Sequence, residues 1–311
     1  MQQRRIGVLE VSVVGLGCNN FGRRIDAAAT ERVVHAALDA GITLFDTADA
    51  YGAGRSEELL GAALSGRRDE AVIATKFGME LDEHRRGAHP DYVRSACDDS
   101  LHRLGVEHID LYQLHRPDPD VPIEETLGAL GELVEAGKVR AIGHSNLEPA
   151  QMDTAEAAAR SAGLPRFESA QDRWNLLERD FEGAQLAAVQ RNRLAVLPYF
   201  PLASGLLTGK YRMGEEPDPA WRISSRPPER REAELAPERL NTVERLRQFA
   251  EGHGRSLLEL AMSWLASRTV VASVIAGATT VEQVEANVTA AGWELTAEQL
   301  AEVDRLTAGS G

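Results

Sequence analysis

VVGLGCNNFG, residues 13–22, decides the fold. Its first half, VVGLG, is a short apolar run of the kind a strand buried on both faces needs. In an open doubly wound sheet, the loop after such a first strand carries G-x-G-x-x-G, so that the backbone can approach a pyrophosphate. Here Gly17 is followed by Gly22 rather than by a glycine three residues on. Without that loop, a parallel sheet in this chain is better read as closed on itself.

Working outward, seven further apolar runs read as strands: 43–45, 71–75, 109–114, 139–143, 167–171, 194–199 and 272–276. Helical stripes alternate with them, such as Val93, Cys97, Leu101 and Leu104, or Ile123, Leu127, Leu130 and Val134 before a stop at Gly137. Leu257, Leu260, Ala261, Trp264 and Leu265 form another. Strand-helix repetition with right-handed crossovers makes a parallel sheet. Eight units of roughly 35–40 residues consume the chain, the size of an α/β (β/α)8 TIM barrel. The expectation is therefore a single barrel domain over residues 1–311. Residues 3–12 read as an N-terminal β-hairpin with Gly7 at its turn. Residues 212–240 hold five of the 13 prolines and read as a long loop after strand seven, a lid or binding loop.

Composition narrows the function. Apolar residues make up 43% and charged residues 26%, an ordinary globular balance. No apolar run reaches a membrane-spanning length, and the N-terminus lacks a signal-type stretch. Two cysteines cannot make a disulfide framework, so a cytoplasmic location is expected. A net charge of −14 disfavours nucleic-acid partners. There are only three lysines, Lys76, Lys138 and Lys210, against 31 arginines. Each lysine is thus a candidate for work a guanidinium cannot do.

Barrel active sites lie at the C-terminal ends of the strands. There the runs end in Asp46, Lys76 and His115, with Tyr51 five residues after Asp46. Singly, each has an ordinary explanation: a cap, a rim charge, a structural imidazole, an amphipathic loop residue. Together they bring an acid, a cation, a phenol and an imidazole to one rim. A phenol titrates near pH 10, and an adjacent ammonium lowers that value. Asp46 would hold Lys76, His115 would hydrogen-bond a substrate oxygen, and Tyr51 would protonate an oxyanion developing on a carbonyl. The missing electron pair could come as hydride from a reduced nicotinamide. No metal is expected, since H-x-H, H-E-x-x-H and paired cysteines are lacking and His84 and His89 are loosely placed.

The chain resembles the aldo-keto reductase superfamily. Six ordered blocks carry the resemblance: FDTADAYGAGRSEELLGAAL (45–64), VIATKFG (72–78), LHRLGVEHIDLYQLHRPDP (101–119), GKVRAIGHSN (137–146), PYFPLASGLLTGKY (198–211) and SVIAGATTVEQVEANV (273–288). The resemblance implies a barrel that reduces aldehydes or ketones with NADPH, without a Rossmann loop. It implies a catalytic tetrad, matched by Asp46, Tyr51, Lys76 and His115. It places Ser145, Asn146 and Gln171 on the nicotinamide carboxamide and Tyr199 on the nicotinamide face. Phe200, Pro201, Leu202, Ser204, Gly205 and Lys210 then follow the pyrophosphate, with Arg222 a further phosphate contact. Gly277, Thr279, Gln283 and Asn287 take the adenosine end. Where many members have a basic residue for the ribose 2′-phosphate, this chain has Gly277 and Gln283, which leaves NADH as the other candidate cofactor. Asn19 and Asn20 depart from the usual residues and are expected to shape the substrate pocket. The alternative implied is a regulatory or redox-sensing nicotinamide-binding module, as in the potassium-channel β subunits. A small-molecule carbonyl compound is the expected partner; both a monomer and a homo-oligomer are compatible with the sequence.

Overall fold

The structure is a computed structural model that describes residues 1–308. Two short strands, β1 (Gln3–Ile6) and β2 (Leu9–Ser12), pair antiparallel across a two-residue turn, with Ile6 opposite Leu9. Gly7 sits at φ +52° in that turn, as a tight hairpin requires. Eight parallel strands follow: β3 (Val14–Gly17), β4 (Leu44–Asp46), β5 (Val72–Phe77), β6 (Ile109–Leu114), β7 (Val139–Ser145), β8 (Ser169–Gln171), β9 (Ala195–Val196) and β10 (Val274–Gly277). They run in chain order around the sheet, with β10 returning beside β3. The Val196 N–H donates to the Val270 carbonyl at 2.7 Å, and the Ala272 N–H to the Val196 carbonyl at 2.9 Å. These bonds join the last two strands, and the fold is a (β/α)8 TIM barrel.

The expected helices form where their apolar stripes predicted, at Pro90–Leu104, Ile123–Glu135 and Leu257–Ala266. Their buried faces pack on the outside of the sheet. Inside the barrel, Leu44, Ala74, Leu111, Ala141, Leu197, Ala272 and Ile275 make a separate apolar cluster. Ile6, Leu9 and Val11 of the hairpin belong to this inner cluster. The hairpin therefore plugs the N-terminal end of the barrel and leaves the C-terminal rim for chemistry.

Two local expectations change. The seventh strand shortens from 194–199 to Ala195–Val196. Pro198 has no N–H to donate towards the last strand, so regular pairing is interrupted there and resumes only as an isolated bridge at Tyr199. The irregular stretch 212–240 contains a helix, Pro228–Glu234, and the start of another, Pro237–Gly252. Both helices begin on proline, which suits the first helical position because that N–H has no intrahelical partner. The loop proper ends where Pro228 starts the helix. Among the described residues, no helix is long and apolar enough to cross a membrane.

Candidate active site

The parallel ladder continues past the strand ends through single backbone bonds. Thr47 donates to the Ala74 carbonyl, Asp49 to Lys76, His115 to Phe77, Asn146 to Gln171 and Tyr199 to Asp172. This staircase brings the strand-end side chains to one rim. Asp46 and Lys76 are inside their strands rather than just beyond them, on inward-facing positions. Lys76 is completely buried, and its Nζ donates to Asp46 Oδ1 and to the Thr47 carbonyl, each at 2.7 Å. Gln171 Nε2 donates to the same Asp46 oxygen at 2.8 Å. Nζ lies 5.1 Å from the centroid of the Tyr51 ring, and the Tyr51 and His115 rings meet edge-on at 6.0 Å. The four residues singled out at the rim thus form one cluster.

Its electrostatics follow from burial. Burial alone would push Lys76 down, but the charge of Asp46 and the hydrogen bond to it hold the group above its ordinary value, so it stays an ammonium. Burial pushes the Tyr51 phenol up; Lys76 pulls it down and the Asp46 charge raises it further. The expected net lowering is therefore reversed, because loss of water around the phenolate outweighs the ammonium. The phenol keeps its proton at neutral pH and can act as a donor. His115 is lowered to about 3, first by burial and then by the charges of Lys76 and Arg116. It is a neutral imidazole whose Nδ1 has no hydrogen-bond partner among the described residues.

Beside this cluster, the Ser145 hydroxyl donates to the Gln171 carbonyl at 2.7 Å. Asn146, at φ +61°, donates its amide to the His115 carbonyl and accepts from the Tyr199 hydroxyl at 2.8 Å. Left-handed backbone is tolerated by asparagine better than by most residues. Ser145, Asn146, Gln171 and Tyr199 form one hydrogen-bonded platform next to Asp46.

Tetrad and platform open into a cleft of about 740 Å³. Phe200, Pro201, Leu202, Ser204, Gly205 and Lys210 form one wall, and Gly277, Thr279, Gln283 and Asn287 another. Gly205 stands at φ +99°, and a Cβ there would come within 3.3 Å of Lys210 Cε. The bare glycine lets the lysine fold in over the cleft. Arg222 stacks its guanidinium 5.5 Å from the Phe200 ring. Gln283 Oε1 accepts from the Thr279 N–H and hydroxyl. Asn19 and Asn20 both line the cleft, and Asn20, 4% exposed, donates to the Ala278 carbonyl at 3.4 Å, against Gly277. Outside the site, Lys138 pairs with Asp98, His84 with Glu83, and His89 caps its helix.

Sequence reasoning missed Arg24, Arg116, Arg173 and Trp221, all in the cleft lining. Arg116 and Arg173 directly follow or nearly follow the strand-end residues His115 and Gln171, so the rim rule extended by two positions would have found them. Arg24 donates to the Ala220 carbonyl across the cleft, a pairing 196 residues apart in sequence. With Lys210 and Arg222, these make five permanent cations in the lining, against one acid, Asp46, which Lys76 neutralises. In a chain of net charge −14, that concentration of positive charge fits a ligand rich in phosphate. An aromatic platform at one end and cations along the wall suit a nicotinamide dinucleotide.

Residues 13–308 match the model of the Aldo/keto reductase family. The chain is 36% identical over 308 residues to aldo-keto reductase YhdN of Bacillus subtilis (strain 168), covering 96% of this chain and 90% of that protein. It is 34% identical over 302 residues to probable aldo-keto reductase 1 of Glycine max, covering 94% and 85%. It is 33% identical over 320 residues to L-glyceraldehyde 3-phosphate reductase of Escherichia coli (strain K12), covering 98% and 92%.

Proposed function

From the premise that the chain belongs to the aldo/keto reductase family, and so is an NAD(P)H-dependent oxidoreductase acting on carbonyl compounds, we propose that it reduces aldehydes or ketones with NADPH and that Tyr51 is the acid. The observation that carries this reading is the buried Asp46–Lys76 pair set against the Tyr51 ring. Residues 1–311 would act as one barrel domain. The reduced nicotinamide, when bound, supplies the hydride.

The substrate carbonyl oxygen sits between the Tyr51 hydroxyl and the His115 imidazole. Neutral His115 donates a hydrogen bond that orients the oxygen and stabilises charge as it develops there. The carbonyl carbon gains the hydride, the π pair moves to oxygen, and that oxygen takes the Tyr51 proton. Lys76 stabilises the resulting phenolate until a proton returns from solvent. Asp46 keeps Lys76 charged in a site where an unpaired ammonium would be costly.

Ser145, Asn146 and Gln171 would hold the carboxamide and Tyr199 the ring face. Burial depresses both Lys210 and Arg222, and the nearby Arg24 charge depresses each further. A bound pyrophosphate, which NADPH and NADH both carry, relieves that crowding of charge, and the choice of NADPH rests on the family resemblance. The complete tetrad favours catalysis over a purely regulatory module. One of the named relatives is a reductase of a phosphorylated aldehyde, in keeping with a carbonyl substrate.

The test is a fluorescence titration with NADPH and NADH, alongside turnover of 4-nitrobenzaldehyde, for the native chain and Tyr51→Phe. Tyr51→Phe is expected to bind NADPH normally and to lose about 100-fold or more in kcat. Undiminished turnover removes Tyr51 from the mechanism. Tighter binding of NADH overturns the cofactor assignment.

A further inference from the structure

Arg116 is exposed in the cleft lining, immediately after His115, and no ion pair or hydrogen bond holds its guanidinium among the described residues. It is peptide-bonded to His115, whose carbonyl accepts from the Asn146 amide of the platform, which places it at the tetrad end of the cleft. Lys210, Arg222 and Arg24 cluster instead around residues 220–222, where Lys210 Nζ lies 5.1 Å from the Trp221 ring and Arg24 donates to the Ala220 carbonyl. Arg173, the remaining cation, is engaged with Glu178 and stacks 5.3 Å from Phe200. The only acid in the lining, Asp46, is already paired with Lys76. A guanidinium at the tetrad end of the cleft is therefore left without a counter-charge among the described residues.

Resting on the reductase reading above, we propose that the substrate is a carbonyl compound carrying an anionic group, carboxylate or phosphate, and that Arg116 binds that group. The planar guanidinium presents two parallel N–H donors to such an oxyanion. His115 fixes the carbonyl oxygen one residue away, so the anion sits on the substrate rather than on the cofactor's phosphates. Exposure leaves the side chain free to swing onto ligands of different length. The positive cleft in an acidic protein would also draw anionic substrates in.

Steady-state kinetics with matched substrates test this: 4-formylbenzoate against its methyl ester, and glycolaldehyde phosphate against glycolaldehyde. The native enzyme is expected to prefer the charged member of at least one pair by about tenfold or more in kcat/KM. Added salt should shrink that preference, and the pair that shows it identifies carboxylate or phosphate. Arg116→Gln should bring the ratio close to one, mainly through KM, and Arg116→Lys should restore part of it. Titration with NADPH shows that each variant is folded and binds cofactor. A native ratio near one in both pairs, or a ratio that Arg116→Gln leaves unchanged, overturns the proposal. Reduction of the neutral aldehydes alone would leave the reductase reading standing, whereas no reduction of any of the four would overturn that reading as well.

Discussion

Lys76 carries more of the site than any other side chain. It is buried completely, and Asp46 is 3% exposed. Breaking such a pair strands the remaining charge. Lys76→Met is therefore expected to cost about 3–5 kcal/mol, measured by urea denaturation, besides abolishing turnover. Adding Asp46→Asn to it removes the stranded carboxylate. The double variant should regain most of the lost stability and none of the activity. A double variant no more stable than Lys76→Met would show that the pair's worth lies in packing rather than charge. The identity of these residues was legible from their positions at the run ends; the balance acting on Tyr51 was not. Only burial, a property of the folded molecule, shows that desolvation exceeds the pull of the ammonium.

At the scale of elements, the helix Arg55–Ala63 starts four residues after Tyr51 and packs on the end of the helix Pro90–Leu104. Contact is closest at Gly61, where a Cβ would stand 2.1 Å from the Leu104 carbonyl oxygen. That oxygen belongs to backbone and cannot rotate away. Gly61→Ala is expected to destabilise by about 1–3 kcal/mol as the helices are forced apart. Gly128, within the helix Ile123–Glu135, has nothing within 4 Å of its Cβ position. Gly128→Ala should stabilise by about 0.5–1 kcal/mol through helix propensity alone. Thermal or urea denaturation checks both, and equal effects would refute the close approach. Periodicity predicted these helices, but it gave no sign of which glycine faces a neighbour. The same blindness explains residues 212–240: proline density reads as a broken chain until helices are seen starting on Pro228 and Pro237.

Across the whole molecule, buried titratable groups oppose one another. Burial, with the charge of Glu57, raises Asp49 to about 7, and burial raises Asp172 to about 7. Burial lowers His144 to about 3, as it does His115. Between about pH 4 and 6.5, the folded chain holds two protons on these aspartates that the unfolded chain has released. Over the same range the unfolded chain holds two on these histidines that the folded chain refuses. The slopes of stability with pH from the four groups cancel. Asp49→Asn removes one side of that balance. Native Asp49 contributes stability at low pH that is lost as pH rises towards 7. The variant escapes that loss, so its stability relative to the native chain should climb by about 1.4 kcal/mol per pH unit from pH 4 to 7 and then level off. Denaturation curves across that range check it, and a constant difference would mean that Asp49 is ionised throughout.

The sequence by itself determined the barrel, the N-terminal hairpin and the grouping of Asp46, Lys76 and His115 at one rim, because each follows from local rules; that the hairpin plugs the barrel came from the structure. Apolar runs buried on both faces must be strands, and the residues that end them must share a rim. Only the tertiary structure decided the charge of the cleft. Arg24, Arg116, Arg173, Lys210 and Arg222 are scattered over nearly 200 residues of a chain whose net charge is −14, and no spacing links them. Closure of the sheet brings their loops to one opening, where Coulomb forces depend on distance in space rather than along the chain.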